Sequence, residues 1–206
     1  MPATKTARWV SITAVSPREA GYVTGLSEKT INQAIDRQEI ATLPARREGE
    51  SERLLGFPEL VYLSLRDTVG PLLSAEGKRR LMQQLDVLRA SPQPGGVSMG
   101  PLELKIGNDL DTLMGKLEEL ERARAFVVVD PEIRSGEPVV RGTRISVSML
   151  ADLARQGASR EELLEDYPAL TEESLDCALL FARIYPRRGR PRRLPFRDGE
   201  VIRPGK

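Results

Sequence analysis

The side chains best equipped for recognition in this chain are arginines. Arg141 and Arg144 flank Gly142 and Thr143 within the run Gly136-Glu137-Pro138-Val139-Val140-Arg141-Gly142-Thr143-Arg144-Ile145-Ser146-Val147. A guanidinium is a planar fork of donors that fits a carboxylate or a phosphate two bonds at a time. Two forks across one tight turn can hold acidic neighbours in place, or they can be presented to phosphate or to a partner's carboxylates. The residues alone favour the first use. A second set lies in the C-terminal arm, where nine basic residues between Arg183 and Lys206 stand against Asp198 and Glu200. Within it, Arg187, Arg188, Arg190, Arg192 and Arg193 are the densest group.

The chemistry that is missing narrows the field. The chain has no histidine, which removes the commonest general base and the commonest zinc ligand. Its one cysteine, Cys177, can form neither an internal disulfide nor a paired-thiolate metal site, and beside Ala178 and Leu179 it reads as core. A reducing, intracellular compartment fits. No nucleophile motif, Gly-rich phosphate loop or paired-carboxylate spacing supports catalysis, so neither an enzyme nor a cofactor or metal is expected. Basic and acidic residues nearly cancel, 31 against 30, so local charge decides what the protein can bind. The N-terminus has no apolar run after it, and no stretch is long enough to span a bilayer; a soluble, cytoplasmic protein without membrane contact is expected.

The elements that position the Arg141–Arg144 turn follow from its neighbours. Phe126 to Asp130 reads as a strand. Pro138 sets an extended entry, Val139 and Val140 form strands readily, and Gly142 supplies the turn. Ile145 and Val147 alternate outward from it, and Ser146 caps the next helix. That helix runs from about Val147 to Gln156 and stops at Gly157. Ser159-Arg160-Glu161-Glu162 is a capping box for a second helix, ending at Tyr167-Pro168. A third starts at Thr171 and carries Leu175, Ala178, Leu179 and Ala182 inward.

The run Asp130-Pro131-Glu132-Ile133, Gly136, Pro138 and Val140-Arg141-Gly142-Thr143-Arg144-Ile145, with Gly157 to Thr171 and Ala178 to Ala182, resembles the domain-of-unknown-function-433 family. The likeness covers about a quarter of the chain, with the Arg-Gly-Thr-Arg core and the Tyr-Pro turn as its specific features. It implies a small trihelical domain of the kind found in VapB-type bacterial antitoxins, which pair with a PIN-domain ribonuclease toxin. The exposed positions argue against DNA at this domain. Glu161, Glu162, Glu165, Asp166, Glu172, Glu173 and Asp176 oppose only Arg160 and Arg183. It reads as a dimerisation or partner-docking module.

The N-terminal segment carries the better nucleic-acid signal. Arg8-Trp9-Val10-Ser11-Ile12 reads as a strand. Ser16-Pro17-Arg18-Glu19 has every helix-start feature, and Thr24-Gly25-Leu26 makes a turn. Ser27 caps a second helix with Ile31, Ala34 and Ile35 inward. Two short helices about a Gly-containing turn form the helix-turn-helix pattern. Arg18 to Ile40 resembles the start of MerR-type and excisionase-type winged helix-turn-helix domains. Leu43 to Leu55 makes a hairpin of wing length, and Phe57-Pro58-Glu59-Leu60-Val61 opens a third helix. The second helix would enter the major groove with Glu28, Lys29, Thr30, Asn32, Gln33 and Arg37 on its open face, while Arg46, Arg47 and Arg53 grip phosphates. Residues 1–70 hold nine basic and nine acidic side chains, so a helix-turn-helix used only for packing stands beside this reading.

Residues 71–125 read as a connector. Ser74 to Ala90 is a helix with Leu81, Leu85 and Leu88 on one side, Ser91 to Gly96 a linker, and 101–106 a strand. Asn108 or Asp109 caps a helix with Leu110, Leu113, Leu117 and Leu120, which serve either dimerisation or packing on the helix's own domain. Prolines in the arm forbid a long helix there. Arg188-Gly189-Arg190-Pro191 resembles an AT-hook core, while a solvated tail or an arm for an acidic protein fits equally.

The expected fold is mainly α: a winged helix-turn-helix over 1–70, a connector over 71–125, a trihelical helix-turn-helix-like domain with short β-hairpins over 126–185, and a basic tail over 186–206. The expected role is an antitoxin that binds operator DNA as a homodimer and represses its operon. It would neutralise a PIN-domain ribonuclease through Arg187, Arg188, Arg190, Arg192 and Arg193. The alternative is a stand-alone MerR-like dimeric regulator.

Overall fold

The computed structural model describes residues 14–47, 50–90, 96–99 and 102–186. The strand expected at Arg8–Ile12 and the arm beyond Pro186 lie outside these residues. The described residues hold eight α-helices and three two-stranded antiparallel sheets, a mainly α architecture. They divide into two compact units, one up to Leu117 and one from Glu118.

In the first unit, α1 (Pro17–Thr24) opens with a capping box. The Ser16 N–H donates to Glu19 Oε2 at 2.7 Å, and the Glu19 N–H donates to Ser16 Oγ at 3.4 Å. It ends on Gly25 at φ 79°, a left-handed position that glycine fills without strain. Then α2 (Glu28–Asp36) begins on Ser27, whose Oγ accepts the Thr30 N–H at 3.0 Å. A Cβ at Gly21 would come 2.9 Å from the Leu26 carbonyl oxygen, so the close return of the chain requires this glycine.

Strands β1 (Leu43–Arg47) and β2 (Glu50–Leu54) pair from Leu43 opposite Leu54 to Arg47 opposite Glu50. Val15 and Leu55 exchange both backbone bonds, at 3.0 and 2.8 Å, tying the start of the unit to the end of this hairpin. Helix α3 (Phe57–Leu65) is buried along almost its whole length, and Glu59 caps it by accepting the Gly56 N–H at 3.0 Å. The order is helix, tight turn, helix, hairpin, helix.

The described residues from 71 to Leu117 fall within this first unit. The reason is apolar burial: α4 (Ala75–Ala90) packs on α3 and sinks Leu81 and Leu85 completely. Strand β4 (Leu102–Lys105) falls where alternation placed a strand. Its partner β3 (Gly96–Met99) begins on Gly96, the last residue of the stretch that composition marked as linker, and buries Val97.

Helix α5 (Gly107–Phe126) runs through the division between the units without a break. Its Leu110, Leu113, Leu117 and Leu120 are all buried within the single chain. Of the two uses open to that stripe, packing is the one taken, so the stripe is not an exposed seam for a second copy.

The second unit continues with β5 (Val127–Val128), paired to β6 (Val139–Val140). The chain then turns at Arg141–Arg144 and returns, so that Ser146 bridges back to Val139. Helices α6 (Val147–Arg155), α7 (Arg160–Asp166) and α8 (Glu172–Ile184) start at Ser146, Ser159 and Thr171, the caps expected. Val127, Val140, Val147, Leu150, Leu163, Leu175, Ala178 and Phe181 fill its core with Cys177 at the margin. Burial pushes the Cys177 thiol pKa up, as does the nearby Glu173 carboxylate.

Candidate functional site

Two places bring the sequence-derived residues together. The first is the open face of α2. Lys29, Asn32, Gln33 and Asp36 recur at helical spacing on the side away from buried Ile31 and Ala34. Half of this face is already engaged. Arg53, from β2, donates from one terminal nitrogen to Asp36 Oδ1 at 2.8 Å and to Asn32 Oδ1 at 3.4 Å. The Asn32 amide nitrogen donates to the Glu28 carbonyl at 2.9 Å. Thr30 Oγ1 lies 2.8 Å from Ser27 Oγ, and Arg18 ties the Glu28 carboxylate to α1 at 3.1 Å. Lys29 and Gln33 are exposed and have no side-chain partner among the described residues. Arg37 caps the end of α2, largely exposed and 4.0 Å from Glu39. Arg46 and Arg47 take their places in β1, opposite Ser51 and Glu50, but their side chains lie outside the described residues.

The second place is the turn at Arg141–Arg144. Gly142 sits at φ 77°. Thr143 Oγ1 donates to the Val140 carbonyl at 2.8 Å and accepts the Ile145 N–H at 3.0 Å, so one hydroxyl fixes both sides of the turn. Among the described residues Arg141 pairs with no acidic side chain. Its Nε donates to the Ala125 carbonyl at 2.6 Å and its backbone N–H to the Phe126 carbonyl at 2.8 Å. Both acceptors are end carbonyls of α5, where a cation also complements the helix dipole. Arg144 is exposed and has no partner among the described residues.

The acid in this region is held by residues that spacing did not single out. Glu137 Oε1 accepts the hydroxyls of Ser146 and Ser148, each at 2.6 Å, and Oε2 accepts Arg134 Nε at 2.9 Å. The carboxyl pKa is lowered to about 2. Partial burial works against the charged form, but the bonds from Ser146, Ser148 and Arg134, with the Arg134 charge, outweigh it. The local signal was a Glu-Pro step before a Ser-x-Ser helix start, and nothing in it specifies contacts nine and eleven residues apart.

On α7 and α8, Glu161, Glu162, Glu165, Asp166, Glu172, Glu173 and Asp176 are all exposed. Asp176 takes both terminal nitrogens of Arg160, which ties α7 to α8 and pushes the Arg160 pKa up. Glu162 closes the Ser159 capping box. The proposed toxin-contact set Arg187, Arg188, Arg190, Arg192 and Arg193, and the AT-hook-like core, lie outside the described residues. Among the described residues no group of three His, Cys, Asp or Glu side chains stands where it could hold a metal ion. No helix there is long and apolar enough to cross a membrane.

The chain is 42% identical over 77 residues to the uncharacterized protein y4eO of Sinorhizobium fredii, a span that is 37% of this chain and 35% of the relative. The chain therefore matches only about a third of that relative's length. Two solved structures also resemble it. One is a DUF433 member protein from Anabaena variabilis, 25% identical, covering 55% of this chain and 91% of its own, with a TM-score of 0.29. The other is Rv2018 from Mycobacterium tuberculosis, 16% identical, covering 80% and 96%, with a TM-score of 0.35. Residues 127–182 match the family described as "Protein of unknown function (DUF433)". The helices after the Arg-Gly-Thr-Arg turn thus belong to a DUF433 domain.

Proposed function

We propose that the protein is a DNA-binding antitoxin of the VapB type. Its first unit would repress its own operon, and its C-terminal region would neutralise a PIN-domain ribonuclease. The observation that carries the DNA half is the α1–turn–α2 pair, whose open face keeps Lys29 and Gln33 free beside a hairpin fastened to it by Arg53. A short helix with free polar side chains on one face, followed by a two-stranded hairpin that carries Arg46, Arg47 and Arg53, is what a winged helix-turn-helix presents to a major groove and its flanking phosphates. Lys29, Thr30, Gln33, Arg37, Arg46 and Arg47 make up the contacting surface, with Asn32 and Arg53 bracing it from within the protein.

The antitoxin half rests on the DUF433 domain and the arginine-rich arm. A nuclease that holds magnesium with clustered carboxylates is complemented by an arm of arginines. A dimer on a two-fold operator completes the proposal. Because the α5 leucines are buried in one chain, its seam must lie elsewhere.

The test is direct. The full chain should shift a labelled duplex from upstream of its own reading frame, and it should co-purify with, and inhibit, a nuclease encoded beside it. Removal of residues 187–206 should abolish inhibition while leaving operator binding within a few-fold. Operator binding with no nuclease partner would leave the MerR-like stand-alone regulator in its place; failure to shift any duplex would end the DNA half.

A further inference from the structure

Resting on the DNA-binding reading above, we propose that α2 discriminates base sequence through Lys29 and Gln33 alone. Arg53 is then a positioning residue that locks the hairpin to α2, with no phosphate contact of its own. The side chains on the open face of α2 are not equivalent. Asn32 has its amide nitrogen on the Glu28 carbonyl and its amide oxygen facing Arg53. Asp36 carries Arg53 at 2.8 Å. A bidentate reading of adenine needs both ends of an amide turned to one base edge, and each end of Asn32 is already turned to a protein partner. Gln33, one position on, has both ends free.

Asp36 would face a phosphate backbone with the wrong sign, and the Arg53 guanidinium neutralises it. The same guanidinium reaches across from β2, so it sets where the hairpin stands relative to the reading face. Lys29 lies in the first turn of α2 and Gln33 one turn later, the part of a recognition helix that meets base edges. Arg37, at the helix end, is placed for the backbone. The chemistry selects guanine opposite Lys29 and adenine opposite Gln33.

The experiment uses the full chain and a pool of duplexes with a randomised core. Wild type should select a half-site with an invariant adenine and a neighbouring guanine. Gln33→Ala should lose its preference at the adenine by roughly 5- to 150-fold, while Asn32→Ala leaves the selected sequence unchanged. Salt dependence then separates strut from phosphate contact. Each phosphate contact adds about 0.9 to the slope of log affinity against log salt. Arg53→Ala should weaken binding to all sequences by a few-fold with the slope unchanged, and Asp36→Ala should weaken it likewise.

A slope reduced by about one in Arg53→Ala overturns the strut, as does tighter binding by Asp36→Ala, which needs no Arg53 variant to fold. A changed base preference in Asn32→Ala overturns the assignment of readout. Selection of no sequence by wild type defeats the DNA-binding reading and this inference with it, whereas the other outcomes leave that reading standing.

Discussion

The chain contains two helix pairs that look alike as sequence and differ as surfaces. In both, a serine caps one helix of the pair: Ser27 accepts from Thr30 at α2 in the first unit, and Ser159 accepts from Glu162 at α7 in the second. In both, an Arg–Asp pair ties two elements together, Arg53 to Asp36 and Arg160 to Asp176. In the first unit that pair cancels an acid on an otherwise usable face and leaves Lys29 and Gln33 free. In the second, cancelling Asp176 still leaves Glu161, Glu165, Asp166, Glu172 and Glu173 exposed. Caps and turns therefore specify that a helix pair forms, and the residual charge on its open side specifies what it can approach.

The sharpest way to break this comparison is to unfold one side of it. Phe181 is 2% exposed at the centre of the second core, against Tyr185 with ring centroids 4.7 Å apart. Phe181→Ala should cost about 3–5 kcal/mol by lost burial and a residual cavity. Denaturant unfolding followed by circular dichroism measures that loss. Operator binding by the same variant should survive under conditions where the first unit remains folded. Loss of binding in step with the second unit's unfolding would mean that the two surfaces do not act separately.

What the sequence made legible follows range. Caps at Ser16, Ser27, Ser159 and Thr171 act over three residues, and each was readable and appears in the structure. The hairpin at 43–54 was readable from its polar, Gly-centred middle. Strand β3 was not, because Pro94-Gly95-Gly96 signals a linker and only pairing with β4 makes Gly96–Met99 a strand. The division at Leu117 was not, because α5 runs through it uninterrupted. At the candidate sites the types of residue were legible and their commitments were not. Arg141 finds its acceptor 16 residues back at Ala125, and Arg53 finds Asp36 17 residues back. Sequence patterns carry no information about such partners until the chain has folded.

A smaller effect distinguishes the two units by acid. The Glu137 carboxyl is held at about 2 in the folded state, below its ordinary 4.5. A folded pKa below the unfolded one means stability that is complete above about pH 4.5 and is lost as pH falls toward 2. Thermal unfolding of the second unit should therefore weaken through that window. Glu137→Gln keeps the shape but loses the charge. It should cost about 1.5–3 kcal/mol at neutral pH, the range for hydrogen bonds to a charged group, and remove that part of the acid dependence. An acid profile identical in wild type and variant would show that Glu137 is not what holds the turn to α6.

The smallest effects come from two glycines, one in each unit, and they sharpen the comparison by separating two reasons for the same residue. Gly142 is required by backbone conformation, with φ at 77° and open space around a would-be Cβ. Gly21 is required by contact, since a Cβ there would lie 2.9 Å from Leu26 O, a backbone atom that cannot swing aside. Gly142→Ala should cost about 1–2 kcal/mol, the penalty of a left-handed L-residue, and Gly142→Asn less, because asparagine tolerates that region. Gly21→Ala should cost about 1–3 kcal/mol by overpacking, and Gly21→Asn no less. Chemical denaturation of the four variants checks the order. The functional readout follows from the geometry: Gly21→Ala pushes on the turn that aims α2 and should weaken operator binding even where the unit stays folded. Gly142→Ala lies in the DUF433 domain and should leave that binding unchanged. Equal rescue by asparagine at both positions would mean that contact at Gly21 is relieved by a shift of the turn, and that the angle between α1 and α2 is softer than the 2.9 Å approach implies.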